Sequence, residues 1–132
     1  MKAKLLSVAA AAAALLATSA HAQQTVKVGL SLPMTGQQQS TGVQISSAVK
    51  LYMQLHGDTV AGKKIEVIIK DDGAVPDAAK RQVQEMIVND KVDIVGGFGV
   101  TPVALAIGPL ATQSKTPAVI MAAGTSIITE RS

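Results

Sequence analysis

The stretch Val26-Lys27-Val28-Gly29-Leu30-Ser31-Leu32-Pro33 alternates apolar with polar or small residues at a period of two, and a proline closes it. In an extended chain that period sends successive side chains to opposite faces, so residues 26–32 are predicted to be a strand that ends at Pro33. The segment after Pro33 decides the fold. A polar, glycine-containing loop over residues 35–42 leads to Ile45, Ala48, Val49, Tyr52 and Leu55, spaced by three and four, the pattern of an amphipathic helix. Gly57-Asp58 stops that helix. A strand that feeds a helix rather than a tight hairpin begins a β-α unit, in which the next strand runs parallel to the first.

The alternation continues to the carboxyl terminus. Residues 60–63 read as a turn or short hairpin element with Gly62 at its tip, and isoleucine- and valine-rich residues 64–70 as the second main strand. Asp71-Asp72-Gly73 breaks it. Pro76-Asp77 opens a second helix, where a first-turn proline and an early carboxylate are both favourable. Ala79, Val83, Met86 and Ile87 form its buried stripe, and Asn89-Asp90 ends it. Residues 92–95 are short and apolar enough for a central parallel strand. After a loop over 96–101, Pro102 starts a third helix reaching about Gln113, with Gly108-Pro109 as a place to bend. Pro117 leads into a fourth strand, 118–121, then a small-residue loop, 122–126, and Ile127 begins another element. The expected fold class is α/β: a doubly wound parallel sheet, helices on both faces, main strands in the order 2-1-3-4.

Ahead of this body lies a different kind of sequence. Lys2 and Lys4 precede an apolar, alanine- and leucine-rich run from residue 5 to 17, and Ala20-His21-Ala22 comes next. The run is shorter than the roughly 20 apolar residues a membrane-spanning helix needs. Positive charge, short apolar run and small-x-small site together are those of a secretory signal peptide, residues 1–22, cleaved to leave Gln23 first. Residues 23–132 are then one domain, expected to be soluble in a bacterial periplasm. No cysteine stands after the cleavage site to carry a lipid.

Composition excludes several classes of function. Without Lys2 and Lys4, the 12 basic residues become 10 against 9 acidic ones, a formal charge of +1. There is no basic stripe, and Tyr52 and Phe98 are the only aromatic residues, so nucleic acid is not a partner. With no cysteine there are no disulfides and no thiolate metal sites.

In a doubly wound sheet, ligands sit beyond the carboxyl ends of the strands, where the strand order reverses. Order 2-1-3-4 brings three loops there: residues 34–41, 97–101 and 122–126. All are glycine, small residues and hydroxyls, with helix amino termini behind them that suit a small anionic or zwitterionic ligand. Turn chemistry and capping account for the same residues, and Thr101 before Pro102 is the expected N-cap of the third helix.

These residues also carry a resemblance. Val26-Lys27-Val28-Gly29-Leu30 through Pro33-Met34-Thr35-Gly36, Gly62-Lys63-Lys64-Ile65-Glu66-Val67, Lys70-Asp71-Asp72-Gly73, Val88-Asn89-Asp90-Lys91-Val92-Asp93, the Gly96-Gly97-Phe98-Gly99 loop and residues 117–125 succeed one another in order. Together they resemble the amino-terminal lobe of type I periplasmic binding proteins of ABC transporters, most closely the leucine/isoleucine/valine-binding group. The resemblance implies capture of a small carboxylate ligand, such as a branched-chain amino acid, and delivery to an ABC permease in the inner membrane. No covalent chemistry, catalytic residue, metal or cofactor is implied. It places Thr101, Ala123, Thr125 and Thr41 at the ligand: the Thr101 and Thr125 hydroxyls on its carboxylate, the Ala123 carbonyl on its amino group, and Thr41 in the loop after the first strand that covers it. Where amino acid binders often carry Ser-Ser, this chain has Thr101-Pro102, and proline removes a backbone donor, which admits an aromatic or other organic acid. The resemblance also implies two lobes and about three times this length, so residues 23–132 are expected to be an incomplete amino-terminal lobe.

Other functions fit less well. A ligand-sensing receptor domain shares the same pattern. A Rossmann-like or flavodoxin-like enzyme does not: Gly97-Phe98-Gly99-Val100-Thr101-Pro102 starts like a dinucleotide-binding turn, but proline stands at the third glycine and Ala122 at the place of the ribose-binding acid. Asp71-Asp72 are adjacent at a strand end and point apart; Asp71 is expected to bond loop N–H groups and Asp72 to be solvated. His56, at a helix carboxyl end, is expected on the surface, away from the strand carboxyl ends.

Overall fold

The computed structural model describes residues 24–131; the expected signal peptide, residues 1–22, lies outside them. The elements are β1 (Thr25–Leu32), α1 (Gln39–His56), β2 (Thr59–Val60), β3 (Lys63–Asp71), α2 (Pro76–Glu85) widening into a π-helical turn (Met86–Asp90), β4 (Ile94–Gly97), α3 (Thr101–Ser114), β5 (Ala118–Ile120) and α4 (Ile127–Arg131). The sheet order is β2-β3-β1-β4-β5. β3, β1, β4 and β5 pair in parallel, which is the expected 2-1-3-4 arrangement of main strands. β2 adds a short antiparallel edge to β3 through the turn Ala61-Gly62, whose φ values of 50° and 78° match the twist of a tight hairpin.

The core lies between the sheet and α2 and α3, which pack on each other. Val83, Met86, Val95, Phe98, Val103 and Ile107 are buried there. Met86 occupies the room that Gly29 leaves: a Cβ on Gly29 would lie 2.8 Å from Met86 Sδ. Leu30 and Leu32 alternate with Gly29 and are also buried, outside that cluster, on the face toward α1.

The bounds of β4 and the start of α1 differ from expectation in ways that bear on the site. β4 runs from Ile94 to Gly97 rather than over residues 92–95. Val92 and Asp93 only approach the sheet: Val92 N–H closes the π turn on the Met86 carbonyl (3.1 Å), and Asp93 N–H donates to the Lys27 carbonyl (2.8 Å). Gly96 and Gly97 belong to the strand because β1 passes so close that a Cβ on Gly97 would collide with the Ser31 carbonyl. α1 begins at Gln39, so Thr41 lies in its first turn and not in the preceding loop. The expected stripe along α1 is also corrected. Gly42 and Ser46 are its buried residues, whereas Tyr52 and Leu55 are 63% and 70% exposed. The helix leans on the sheet through its amino-terminal half, where a Cβ on Gly42 would overlap the Pro33 carbonyl.

Candidate ligand-binding crevice

Because β1, β4 and β5 are parallel, their carboxyl ends and the loops that leave them share one edge of the sheet. The loop after β4 fastens the other two. Gly97 (φ 102°) and Phe98 (φ 60°) both take left-handed backbone, which costs nothing at glycine and is strained at a bulky residue. Full burial of the Phe98 ring holds it there. Its N–H donates to the Ser31 carbonyl at 2.9 Å, and its carbonyl accepts from Ala123 N–H at 3.2 Å. Met121 N–H reaches the Gly97 carbonyl at 2.9 Å. The next residue must be small: a Cβ on Gly99 would stand 2.6 Å from Pro33 Cγ, and the Thr41 methyl is 3.8 Å from the same point.

The four candidate residues are all half-buried around this loop. Thr41 faces Gly99 from the first turn of α1. Ala123 is bonded to Phe98 through its N–H. Thr101 opens α3 two residues beyond Gly99, but it is not the N-cap. Val100, in extended backbone, holds that position, and no side chain caps the helix. The reason is that Val100 is the residue whose carbonyl accepts the first bond of the helix, from Ala104 N–H at 3.1 Å. The Thr101 hydroxyl is therefore not used for capping. Thr125 starts the turn into α4: its Oγ1 accepts from Ile127 N–H at 3.3 Å, which leaves its own proton to donate elsewhere. Among the described residues, no hydrogen bond joins two of these four side chains.

The two carboxylates at the end of β3, Asp71 and Asp72, brace the same edge. Asp71 Oδ1 accepts from the N–H groups of Met34 (2.8 Å), Thr35 (3.2 Å) and Gly73 (2.9 Å), and Oδ2 accepts from the Thr35 hydroxyl (2.7 Å). Desolvation works to raise the Asp71 pKa, but these donors outweigh it and hold the group below its ordinary value. Asp72 is not solvated as expected; it is 2% exposed. Ser31 Oγ donates to its Oδ2 at 2.7 Å and Ala74 N–H to its Oδ1 at 2.8 Å, so the buried charge has partners. The sequence reading placed Phe98 in a loop of this edge but missed its fastening role, and it missed Ser31 altogether; the glycines on both sides of Phe98 were the available signal. His56 is exposed at the end of α1. Among the described residues no three or more His, Asp or Glu side chains are grouped to hold a metal ion, and no helix is long and apolar enough to cross a membrane.

Residues 25–131 match the family described as periplasmic binding protein. The chain belongs to this family. Leu/Ile/Val-binding protein homolog 6 of Brucella abortus is 36% identical over 118 residues, which is 89% of this chain and 30% of that protein. A crystal structure of an ABC transporter solute-binding protein from Rhodopseudomonas palustris BisB5, in complex with 3,4-dihydroxybenzoic acid, is 69% identical with a TM-score of 0.80, covering 82% of this chain and 30% of that one. Another R. palustris solute-binding protein, in complex with 4-hydroxybenzoate, is 34% identical with a TM-score of 0.78, covering 83% and 30%. This periplasmic binding protein chain thus spans about 30% of the length of the relatives it matches. Its sheet corresponds to part of one lobe of a type I fold, and the two R. palustris relatives are solute-binding proteins of ABC transporters.

Proposed function

We propose that this chain forms one wall of the ligand site of an ABC-importer solute receptor, and that the ligand is an aromatic hydroxycarboxylate. The 69% identity to a protein crystallised with 3,4-dihydroxybenzoic acid carries this reading. The crevice supplies compatible chemistry. The Thr101 and Thr125 hydroxyls donate to the carboxylate, aided by the positive end of the α3 dipole. The Ala123 carbonyl accepts from a ring hydroxyl, and Thr41 lines the opposite side. With Pro102 in the first turn of α3, Thr101 and Val103 are the N–H groups left outside the helix ladder nearest the ligand. Binding is non-covalent. The receptor works in the periplasm after residues 1–22 direct its export, residues 23–132 belong to its binding domain, and its macromolecular partner is an inner-membrane ABC permease.

A branched-chain amino acid is the second reading, favoured by the 36% identity to a Leu/Ile/Val-binding protein homologue. The Ala123 carbonyl would then accept from the ligand's ammonium group. Titration of the isotope-labelled chain, followed by amide NMR shifts, separates the two. Saturable shifts at Thr101, Ala123 and Thr125 with millimolar 3,4-dihydroxybenzoate but not leucine support the first. The reverse selectivity supports the second, and no shift with either overturns both.

A further inference from the structure

We propose that Asp71 is a positioning residue of the crevice: its carboxylate pins the loop between β1 and α1, and so holds Thr41 against Gly99. Its purpose rests on the solute-binding reading, but its structural basis is independent of any ligand. The loop, residues 33–38, is anchored at its start by the fully buried Pro33 but has little beyond that residue to fix it. From Thr35 to Ser40 every residue is exposed. α1 has no side-chain N-cap bond that would set its angle of approach. The bonds Gln39 N–H to the Gly36 carbonyl (3.2 Å) and Thr41 N–H to the Gln38 carbonyl (3.1 Å) are internal to the turn and move with it. What ties the turn to the sheet is Asp71, which takes two loop N–H groups and one loop hydroxyl on a single carboxylate.

The placement explains why an acid stands there. Asp71 is the last residue of β3 and pairs with Leu32, the last residue of β1, so its side chain starts where the loop departs. Gly73 N–H also donates to Oδ1, so the same carboxylate joins the β3–α2 turn to the β1–α1 loop. Four donors occupy the two oxygens, leaving the group ill suited to receive a ligand or a metal; its action is through Thr41. An asparagine could keep the Oδ1 contacts, whereas an alanine removes all four.

The test uses Asp71→Ala and Asp71→Asn in the isolated, isotope-labelled chain. Asp71→Ala should speed amide hydrogen exchange at Met34 and Thr35 at least tenfold and remove the nuclear Overhauser contact between the Thr41 methyl and Gly99, while the Val83 and Met86 methyl shifts stay in place. Asp71→Asn should retain the Thr41–Gly99 contact. Unchanged exchange and contact in Asp71→Ala would overturn the proposal. So would loss of the Val83 and Met86 shifts in both variants, since Asp71 would then support the whole fold. With 3,4-dihydroxybenzoate added, a wild-type chain showing no shift at Thr101, Ala123 or Thr125 would remove the solute-binding reading, while exchange and the Thr41–Gly99 contact would still decide the role of Asp71.

Discussion

The buried hydroxyl of Ser31 donates to Asp72 Oδ2 at 2.7 Å, and the carbonyl of the same serine accepts from Phe98 N–H at 2.9 Å. Phe98 in turn accepts from Ala123 at 3.2 Å, so a chain of hydrogen bonds crosses the sheet edge from the end of β3 to the loop after β5. Ser31→Ala breaks its first link and leaves a buried carboxylate oxygen without a donor. A hydrogen bond to a charged group contributes about 1.5–3 kcal/mol, and the loss should approach that figure. Urea unfolding of wild type and variant measures it; a difference below about 0.5 kcal/mol would show that Asp72 finds another donor.

Stability should fall at both ends of the pH range for different reasons. The Asp71 carboxylate is held below its ordinary 3.8, so its contribution is complete above that value and is lost as pH falls through the lowered one. Desolvation acts to lower the Lys70 pKa, but the Glu85 and Asp90 carboxylates, at 3.0 and 3.3 Å, outweigh it and raise the group above 10.5. Its contribution is complete below 10.5 and is lost as pH climbs through the raised value. Asp71→Asn should flatten the acid limb of a Tm-against-pH curve and Lys70→Met the alkaline limb. A wild-type limb that keeps its slope in the matching variant assigns it to other groups.

The sheet was legible because its signals are local. Val26 to Leu32 alternates, residues 64–70 are rich in isoleucine and valine, and Pro76-Asp77 marks a helix start without reference to anything distant. Two of the misreadings depend on a partner far along the chain. Gly96 and Gly97 look like loop until β1 lies beside them, and Asp72 looks solvated until Ser31, 41 residues earlier, covers it. The start of α1 carries no capping side chain and no apolar periodicity, so Thr41 could be given to the loop. The loops around Thr101 and Ala123 were legible through their place after strands, and the resemblance named the two residues as candidates, but the fastening through Phe98 was not legible, because it depends on a left-handed backbone at a phenylalanine.

Backbone proximity at Gly42 gives a sharp contrast with Gly108. A Cβ on Gly42 would overlap the Pro33 carbonyl, which is rigid backbone, whereas one on Gly108 meets nothing within 4 Å. Gly42→Ala should push α1 off β1 and destabilise the chain by about 1–3 kcal/mol. Gly108→Ala, inside α3, should stabilise it by about 0.5–1 kcal/mol. Thermal unfolding of the two variants checks the pair, and equal effects would mean that the α1 contact yields at no cost.

Export can be read from the mature amino terminus. The charges at Lys2 and Lys4, the apolar run and Ala20-His21-Ala22 predict cleavage after Ala22. Mass spectrometry of chain recovered from the periplasm should find Gln23 first; recovery only as uncleaved cytoplasmic chain would count against export.

The isolated chain should bind its ligand only weakly. Its candidate groups lie on loops and first helical turns at one edge of a sheet, whereas small-molecule sites usually bury about 70–90% or more of the ligand's surface. At an open edge the proposed Thr101 and Thr125 donors would compete with water for a ligand carboxylate, and a hydrogen bond that merely exchanges with water contributes little net free energy. Tyr52 and Phe98, the only aromatic residues, cannot stack on a ligand ring there: Phe98 is fully buried, and Tyr52 stands near the far end of α1 beside His56. Calorimetric titration with 3,4-dihydroxybenzoate, 4-hydroxybenzoate, leucine, isoleucine and valine should therefore show no micromolar binding, even where millimolar ligand shifts the amides of the crevice. The chain covers 30% of the 69% identical receptor, and fusing it to the remaining part is expected to supply an opposing wall. In that fusion Thr101→Ala or Thr125→Ala should weaken binding roughly 10- to 100-fold, the equivalent of about 1.5–3 kcal/mol. Micromolar or tighter saturable binding by the monomeric, folded chain alone would show that one wall suffices. Unchanged affinity in both threonine variants of the fusion would move the site away from the loops after β4 and β5.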